Sequence, residues 1–378
     1  MIPSLLGLVA WGNLTAAAPN EVTPGKPAGQ PESGAVATAR QVMAFPDPRI
    51  TVSGLAWWKE EAKLKRLPDR LKASVPPKVW QLSQSPAGAR LRFRTDSLNV
   101  GIHAVTGKYK LAPSPPMALI GMDLYSEGRY LGSALPDENA VLKKEWTLGT
   151  ERVMRDVEIY LPMGSPATVE SLVLDQGARL EAGKPYSRDK PVVYYGSSIT
   201  QGAQATNPGG TFPCLLGRWL DTDFVNLGFS GNGMGEPALA RAVAEIPAAV
   251  FVIDYWANPA PEVYEKTFPE FIAIIRVKFP DTPIVVTGPY YNPSEVFGSR
   301  MGQYQLAKRL LIPKLVEEKQ KAGDKNIHYV DGLTLISAEQ ADALSDARHA
   351  NSYGMFLYAR GLEPVLRKVL GMPVAPER

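Results

Sequence analysis

The stretch VVYYGSSITQG, Val192 to Gly202, decides how the rest of the chain is read. Four apolar or aromatic residues run into a glycine, followed by two serines and a threonine. The same texture recurs downstream. VVYYG precedes TFPCLLGRWLD, DFVNLGF precedes EPALARAVAEI, and AVFVIDY precedes PEVYEKTFPEFIAIIRVKF. PIVVTGPYY then precedes QYQLAKRLLIPKLVEEKQKA, and IHYVDG precedes SYGMFLYARGLEPVLRKVLG. Five strand–helix units in succession predict a five-stranded, parallel, doubly wound α/β sheet of flavodoxin-like type over residues 187–378. Ligand sites of such sheets lie outside the carboxyl ends of the strands. Gly196-Ser197-Ser198 therefore points to where chemistry is expected.

Upstream, residues 46–186 alternate with period two. RLRFRTD puts Arg90, Arg92 and Arg94 on one face and Leu91, Phe93 and Thr95 on the other. Ser126 to Gly128 reads as a hairpin turn. Short strands between Gly and Pro turns predict an all-β, jelly-roll-like sandwich with almost no helix. Residues 19–45, rich in Pro, Gly, Ala and Thr at their start, read as a linker. Residues 1–18 read as a signal peptide with small residues at Ala16–Ala18, or as an apolar tail, since the positive n-region is absent. A signal peptide would direct the protein to the periplasm or the exterior.

The 378 residues carry 41 basic and 38 acidic side chains, a balance of +3 that gives no reason to expect a nucleic acid or anionic membrane partner. No run approaches the length of a membrane span. Cys214 is the single cysteine, which excludes an intrachain disulfide and a cysteine-based metal site.

A serine hydroxyl needs a base to take its proton, and the base needs an orienting carboxylate. SDARHANSYG supplies Asp346 and His349, after the fifth strand and before the last helix. A tetrahedral oxyanion needs donors. NLGFSGNG exposes glycine N–H groups after the second strand, and DYWANP ends the third with the amide of Asn258. Each element has a plainer reading: a turn, a capping pair, a flexible loop, a helix cap. All four fall beyond strand ends on one side of one sheet, which favours a site.

These residues resemble the four sequence blocks of the SGNH (GDSL-type) hydrolases, named for a serine, a glycine, an asparagine and a histidine. Gly196-Ser197-Ser198-Ile199-Thr200 matches the first block, with Ser198 at the nucleophile position. Gly231 matches the oxyanion glycine, Asn258 the side-chain donor, and Asp346 with His349 the Asp-x-x-His block. GMDLY and VWQLSQSPAGARLRFRTDS resemble the sandwich that precedes the catalytic domain in one branch. Ser197 stands where the family usually has Asp. Trp256-Ala257-Asn258-Pro259 replaces Gly-x-Asn-Asp, and Ala350 replaces a common proline.

The resemblance implies a serine esterase that needs no metal or organic cofactor. The expected substrate is a small acyl ester or acetylated glycan, because Tyr255, Trp256, Tyr290 and Tyr291 end strands beside the site and suit sugar faces. Trp256 in place of glycine is expected to narrow the acyl side. An acyltransferase to sugar hydroxyls and a non-catalytic carbohydrate-binding protein remain as rivals. Cys214, His103 and His328 read as structural. Arg90, Arg92 and Arg94 read as a solvated face, and Trp57-Trp58 as buried in the sandwich.

Overall fold

The computed structural model describes residues 39–108 and 114–374. The expected signal peptide and most of the expected linker lie outside the described residues.

The front half contributes β1 (Arg40–Ala44), β2 (Thr51–Ser53), β3 (Arg90–Thr95), β4 (Asn99–Val105) and β5 (Met122–Ser126). β6 (Arg129–Ala134), β7 (Val141–Thr147), β8 (Arg155–Tyr160), β9 (Thr168–Asp175) and β10 (Leu180–Ala182) complete it. They form two antiparallel sheets, ordered β1-β9-β4-β7 and β10-β3-β8-β5-β6, with β2 pairing β3. Alternate residues meet between the sheets. Ile102, Leu142 and Leu172 from one pack with Leu91, Phe93, Leu124 and Ile159 from the other. The hairpin after Ser126 turns on Glu127 and Gly128, both at positive φ, as a two-residue primed turn requires.

Four features depart from expectation. Strand β1 falls at the end of the presumed linker, where RQVMA pairs antiparallel with β9. Helices α1 (Trp58–Glu61), α2 (Pro77–Ser83) and α3 (Pro116–Ile120) interrupt the sandwich, the last two with proline in the first turn. Arg90 is not solvated. It is 1% exposed, ion-paired to Asp223 at 2.6 Å and stacked 4.0 Å over Phe224. The outer face of β3 is covered there by the rear half of the chain, which a period-two pattern cannot reveal. Trp58 packs on the sandwich core, whereas Trp57 packs on the α/β core and donates to Glu245.

The rear half runs β11 (Val192–Gly196), α4 (Ser198–Gln201), α5 (Phe212–Trp219), β12 (Phe224–Gly228), α6 (Pro237–Val243) and β13 (Val250–Asp254). It continues through α7 (Pro261–Lys278), β14 (Ile284–Thr287), α8 (Arg300–Lys321), β15 (Ile327–Val330) and α9 (Ser352–Val369). The five strands are parallel in the order β12-β11-β13-β14-β15. This is the flavodoxin-like order. Residues of β11, β12, β13 and β14 are buried throughout, because helices cover both faces of the sheet. Helix α9 shows how a helix is cut to fit. Asn351 caps its first turn by accepting from Gly354 N–H, and Met355, Tyr358, Ala359, Leu362 and Leu366 form its buried stripe.

Candidate active site

Gly196 stands level with Gly228 on one side and Asp254 on the other, so three adjacent strands end on one line. Ser198, Gly231 and Asn258 each follow within one turn of chain, at the carboxyl edge of the sheet. Ser197 caps the short helix α4 by accepting from Ile199 N–H, which leaves Ser198 as its first residue. Gly196 must be glycine here, since a Cβ would lie 1.8 Å from Thr200 Oγ1. Gly202, at φ +109°, ends the helix.

Ser198 Oγ lies 2.8 Å from His349 Nε2, across 151 residues of sequence. His349 Nδ1 lies 2.7 Å from Asp346 Oδ2. The loop between them turns at Ala347, φ 58°, and is closed by Ser345 N–H donating to His349 O. That turn lets Asp346 Oδ1 accept the backbone N–H groups of His349 (2.7 Å) and Arg348 (3.1 Å) while Oδ2 faces the imidazole. Partial burial works against the Asp346 charge. Hydrogen bonds from the His349 ring and backbone outweigh it and hold the carboxyl below its ordinary range.

Gly231 is exposed at φ +69°, in a turn where Asn232 N–H donates to Phe229 O. Neither Ser198 N–H nor Gly231 N–H has an acceptor among the described residues. Gly233 N–H donates to Asn258 Oδ1 at 3.0 Å, which engages the amide oxygen and leaves its NH2 as the donor. Gly233 in turn fits against the strand end, where a Cβ would meet Gly196 O at 2.3 Å. Gln201 Oε1 accepts Ser230 N–H at 2.9 Å and ties helix α4 to the Gly231 loop. A hydroxyl against a carboxylate-held imidazole, beside free N–H donors, is the apparatus of acyl transfer through a serine.

Four supporting residues escaped the sequence reading. Asp254, fully buried, accepts from Thr200 Oγ1 (2.6 Å), Tyr358 OH (2.6 Å), Trp256 Nε1 (2.9 Å) and Thr287 Oγ1. Burial pushes its carboxyl up, against the pull of those four donors. Arg66, 1% exposed, spans from Leu82 O and Ser85 O in the front half to Gly228 O, just before the Gly231 loop. Lys308 reaches the Asn258 loop from α8. Gln201 is the fourth. None of the four left a signal in the sequence, since on α8 the buried face includes Gln305 and Lys308 while Leu306 and Leu310 face solvent.

The expected sugar-facing aromatics are corrected. Tyr255, Trp256 and Tyr290 are 0%, 2% and 1% exposed. Trp256 turns inward to Asp254 and packs edge-on to Tyr290 at 5.0 Å, so it does not narrow the acyl side. Tyr291 alone is half-buried. Cys214 is buried, and that burial pushes its thiol up to about 11. His103 and His328 lie in β4 and β15, away from the Ser198 cluster.

The fold and the comparisons define an α/β esterase or acyl hydrolase. Residues 189–367 match the GDSL-like lipase/acylhydrolase family, and residues 43–178 match the N-terminal domain of SGNH-type esterases. The chain belongs to this family and is an SGNH hydrolase. Among solved structures, a candidate GDSL-like lipase from Bacteroides ovatus is 25% identical with a TM-score of 0.82, covering 89% of this chain and 100% of that one. The salicylyl-acyltransferase SsfX3 of a tetracycline biosynthetic pathway is 23% identical (TM-score 0.74, 88% and 98% covered). A family two carbohydrate esterase from Cellvibrio japonicus is 15% identical (TM-score 0.59, 88% and 99% covered). No curated protein matches the chain. No helix of the described residues is long and apolar enough to cross a membrane.

Proposed function

We propose that the enzyme hydrolyses short acyl esters, acetyl above all, carried by carbohydrate outside the cytoplasm. Ser198 attacks the ester carbonyl, and His349 Nε2 takes its proton and returns it to the leaving alcohol. Asp346 holds the imidazole with its Nδ1–H directed at the carboxylate and steadies the imidazolium. Ser198 N–H, Gly231 N–H and the Asn258 amide receive the oxyanion, and water then releases the acid. The observation that carries this reading is the unbroken relay of 2.8 Å and 2.7 Å from Ser198 through His349 to Asp346. It also weighs against a purely carbohydrate-binding protein, which has no use for it.

The carbohydrate part draws support from fold likeness to carbohydrate esterases. The short acyl part rests on the loops at the strand ends. Ser230, Gly231, Asn232, Asn258, Ser345, Asp346 and Arg348 bring polar groups and no aliphatic run. Likeness to a salicylyl-acyltransferase favours a second reading, in which a sugar hydroxyl replaces water as acceptor and the same residues serve. A fluorophosphonate probe should label the native enzyme and not Ser198→Ala. Acetate release from acetylated polysaccharides, with and without added sugar acceptor, then separates hydrolysis from transfer. Faster turnover of long-chain than of acetyl esters would overturn the acyl assignment.

A further inference from the structure

Helix α8 presents Gln305, Lys308, Ile312 and Leu315 to the interior. Lys308 is the charged residue among them. It is 1% exposed, and no carboxylate of the described residues forms an ion pair with it. An ammonium buried without a counter-charge is costly. Burial, with the Arg348 charge adding to it, pushes Lys308 down to about 8. An apolar side chain would serve the core better, so the reason for a lysine lies in what its head group holds.

Nζ donates to Trp256 O at 2.6 Å and to Pro259 O at 3.1 Å. Those two carbonyls bracket Ala257 and Asn258. The Trp256 side chain anchors the start of the loop through Asp254 and Tyr290, but the backbone that carries Asn258 has few bonds of its own. Its own turn bond, Asn258 N–H to Tyr255 O, is long at 3.4 Å. The amide oxygen is tied to Gly233 N–H, which sets rotation about the side chain but not the height of the backbone carrying it.

We propose that Lys308 is the positioning residue for the Asn258 amide, clamping the carbonyls on either side of it so that Nδ2 meets the oxyanion at hydrogen-bond distance. This rests on the reading of Asn258 as an oxyanion donor. Lys308 touches neither substrate nor the reacting atoms. Misplacing a donor by about 1 Å costs on the order of 10²-fold in rate.

The test is a double-mutant cycle on kcat and KM with an aryl acetate ester. Lys308→Met, close in shape and uncharged, should lower kcat ~10–100-fold with KM changed less than ~3-fold. In an Asn258→Ala background the same change should cost less than ~3-fold, because the group it positions is gone. Lys308→Gln, which keeps an N–H donor, should recover part of the loss. Full additivity with Asn258→Ala, or unchanged kcat in Lys308→Met, would overturn the inference while leaving the esterase reading intact. So would variants unfolded at the assay temperature, which would assign Lys308 to core stability alone. Turnover that survives Ser198→Ala would instead refute the esterase reading, and this inference with it.

Discussion

Replacing Asp346 with asparagine should separate the orientation of His349 from the shape of its loop. The carboxylate does two jobs with two oxygens. Oδ1 accepts two backbone N–H groups, from His349 at 2.7 Å and Arg348 at 3.1 Å, and Oδ2 faces His349 Nδ1 at 2.7 Å. An asparagine amide has one oxygen and one NH2 to place. Oxygen on the backbone pair satisfies two donors, whereas oxygen on the ring satisfies one and sets NH2 against both N–H groups. With its NH2 also donating to Nδ1, the first arrangement has three hydrogen bonds against one, each worth about 1 kcal/mol net. The NH2 then faces Nδ1, so that nitrogen must be the unprotonated one and Nε2 carries the hydrogen. An Nε2–H cannot take the Ser198 proton. The expected loss in kcat is on the order of 10⁴-fold, about 5.5 kcal/mol at the barrier. Because the loop keeps both backbone bonds and the Asp346 side chain is 38% exposed, thermal unfolding should move little. Stopped assays on an aryl acetate, with melting curves of both proteins, decide it. A variant retaining a tenth of native kcat would refute the argument about oxygen placement.

Ser198→Ala should remove a factor on the order of 10³ or more from kcat with folding intact, while Ser197→Ala, which loses only a helix cap, should cost about 1 kcal/mol of stability and far less rate. Titrating both variants with a fluorophosphonate checks which serine is acylated. Asn258→Ala should lower kcat roughly 10²–10³-fold with KM nearly constant; a raised KM at constant kcat would return Asn258 to a capping role. Lys308 carries a pH signature. Its ordinary value is 10.5 and the folded value is pushed down to about 8, so between those limits the unfolded chain holds a proton that the folded chain has shed. Stability from this group therefore rises with pH across that window. Urea midpoints of the native protein minus those of Lys308→Met should climb from pH 8 to 10, and a falling difference would contradict the sign.

The rear half was largely legible because a parallel sheet covered on both faces makes its strands continuous apolar runs. VVYYG, FVNLG and VFVID needed no partner to be recognised. The candidate site was legible for another reason. Ser198, Asp346 and His349 sit in short local patterns whose spacing suits their chemistry. What stayed hidden depends on partners far along the chain. Arg90 reads as one of three solvated arginines until Asp223 and Phe224 cover it. Tyr255, Trp256 and Tyr290 read as cleft aromatics, yet Asp254 and the packing under α9 draw Trp256 and Tyr290 inward. Helix α2, which opens on Pro77 in its first turn, lies between short strands where a period-two pattern gives no sign of it.

Arg66 ties the front half to the strand end that carries the candidate site. It belongs to the segment preceding the sandwich's third strand, and its guanidinium, 4.8 Å over Phe229, closes on the carbonyl that precedes the Gly231 turn. Leu67, Val75 and Val79 from the same segment are embedded in the α/β core. The two halves thus cannot be exchanged like beads on a string. Graft this hydrolase sheet behind a different sandwich, and the Gly228 carbonyl loses its donor while a hydrophobic socket opens to water. Any shuffling of such modules, in evolution or at the bench, must carry the arginine and its flanking helix along with the catalytic half.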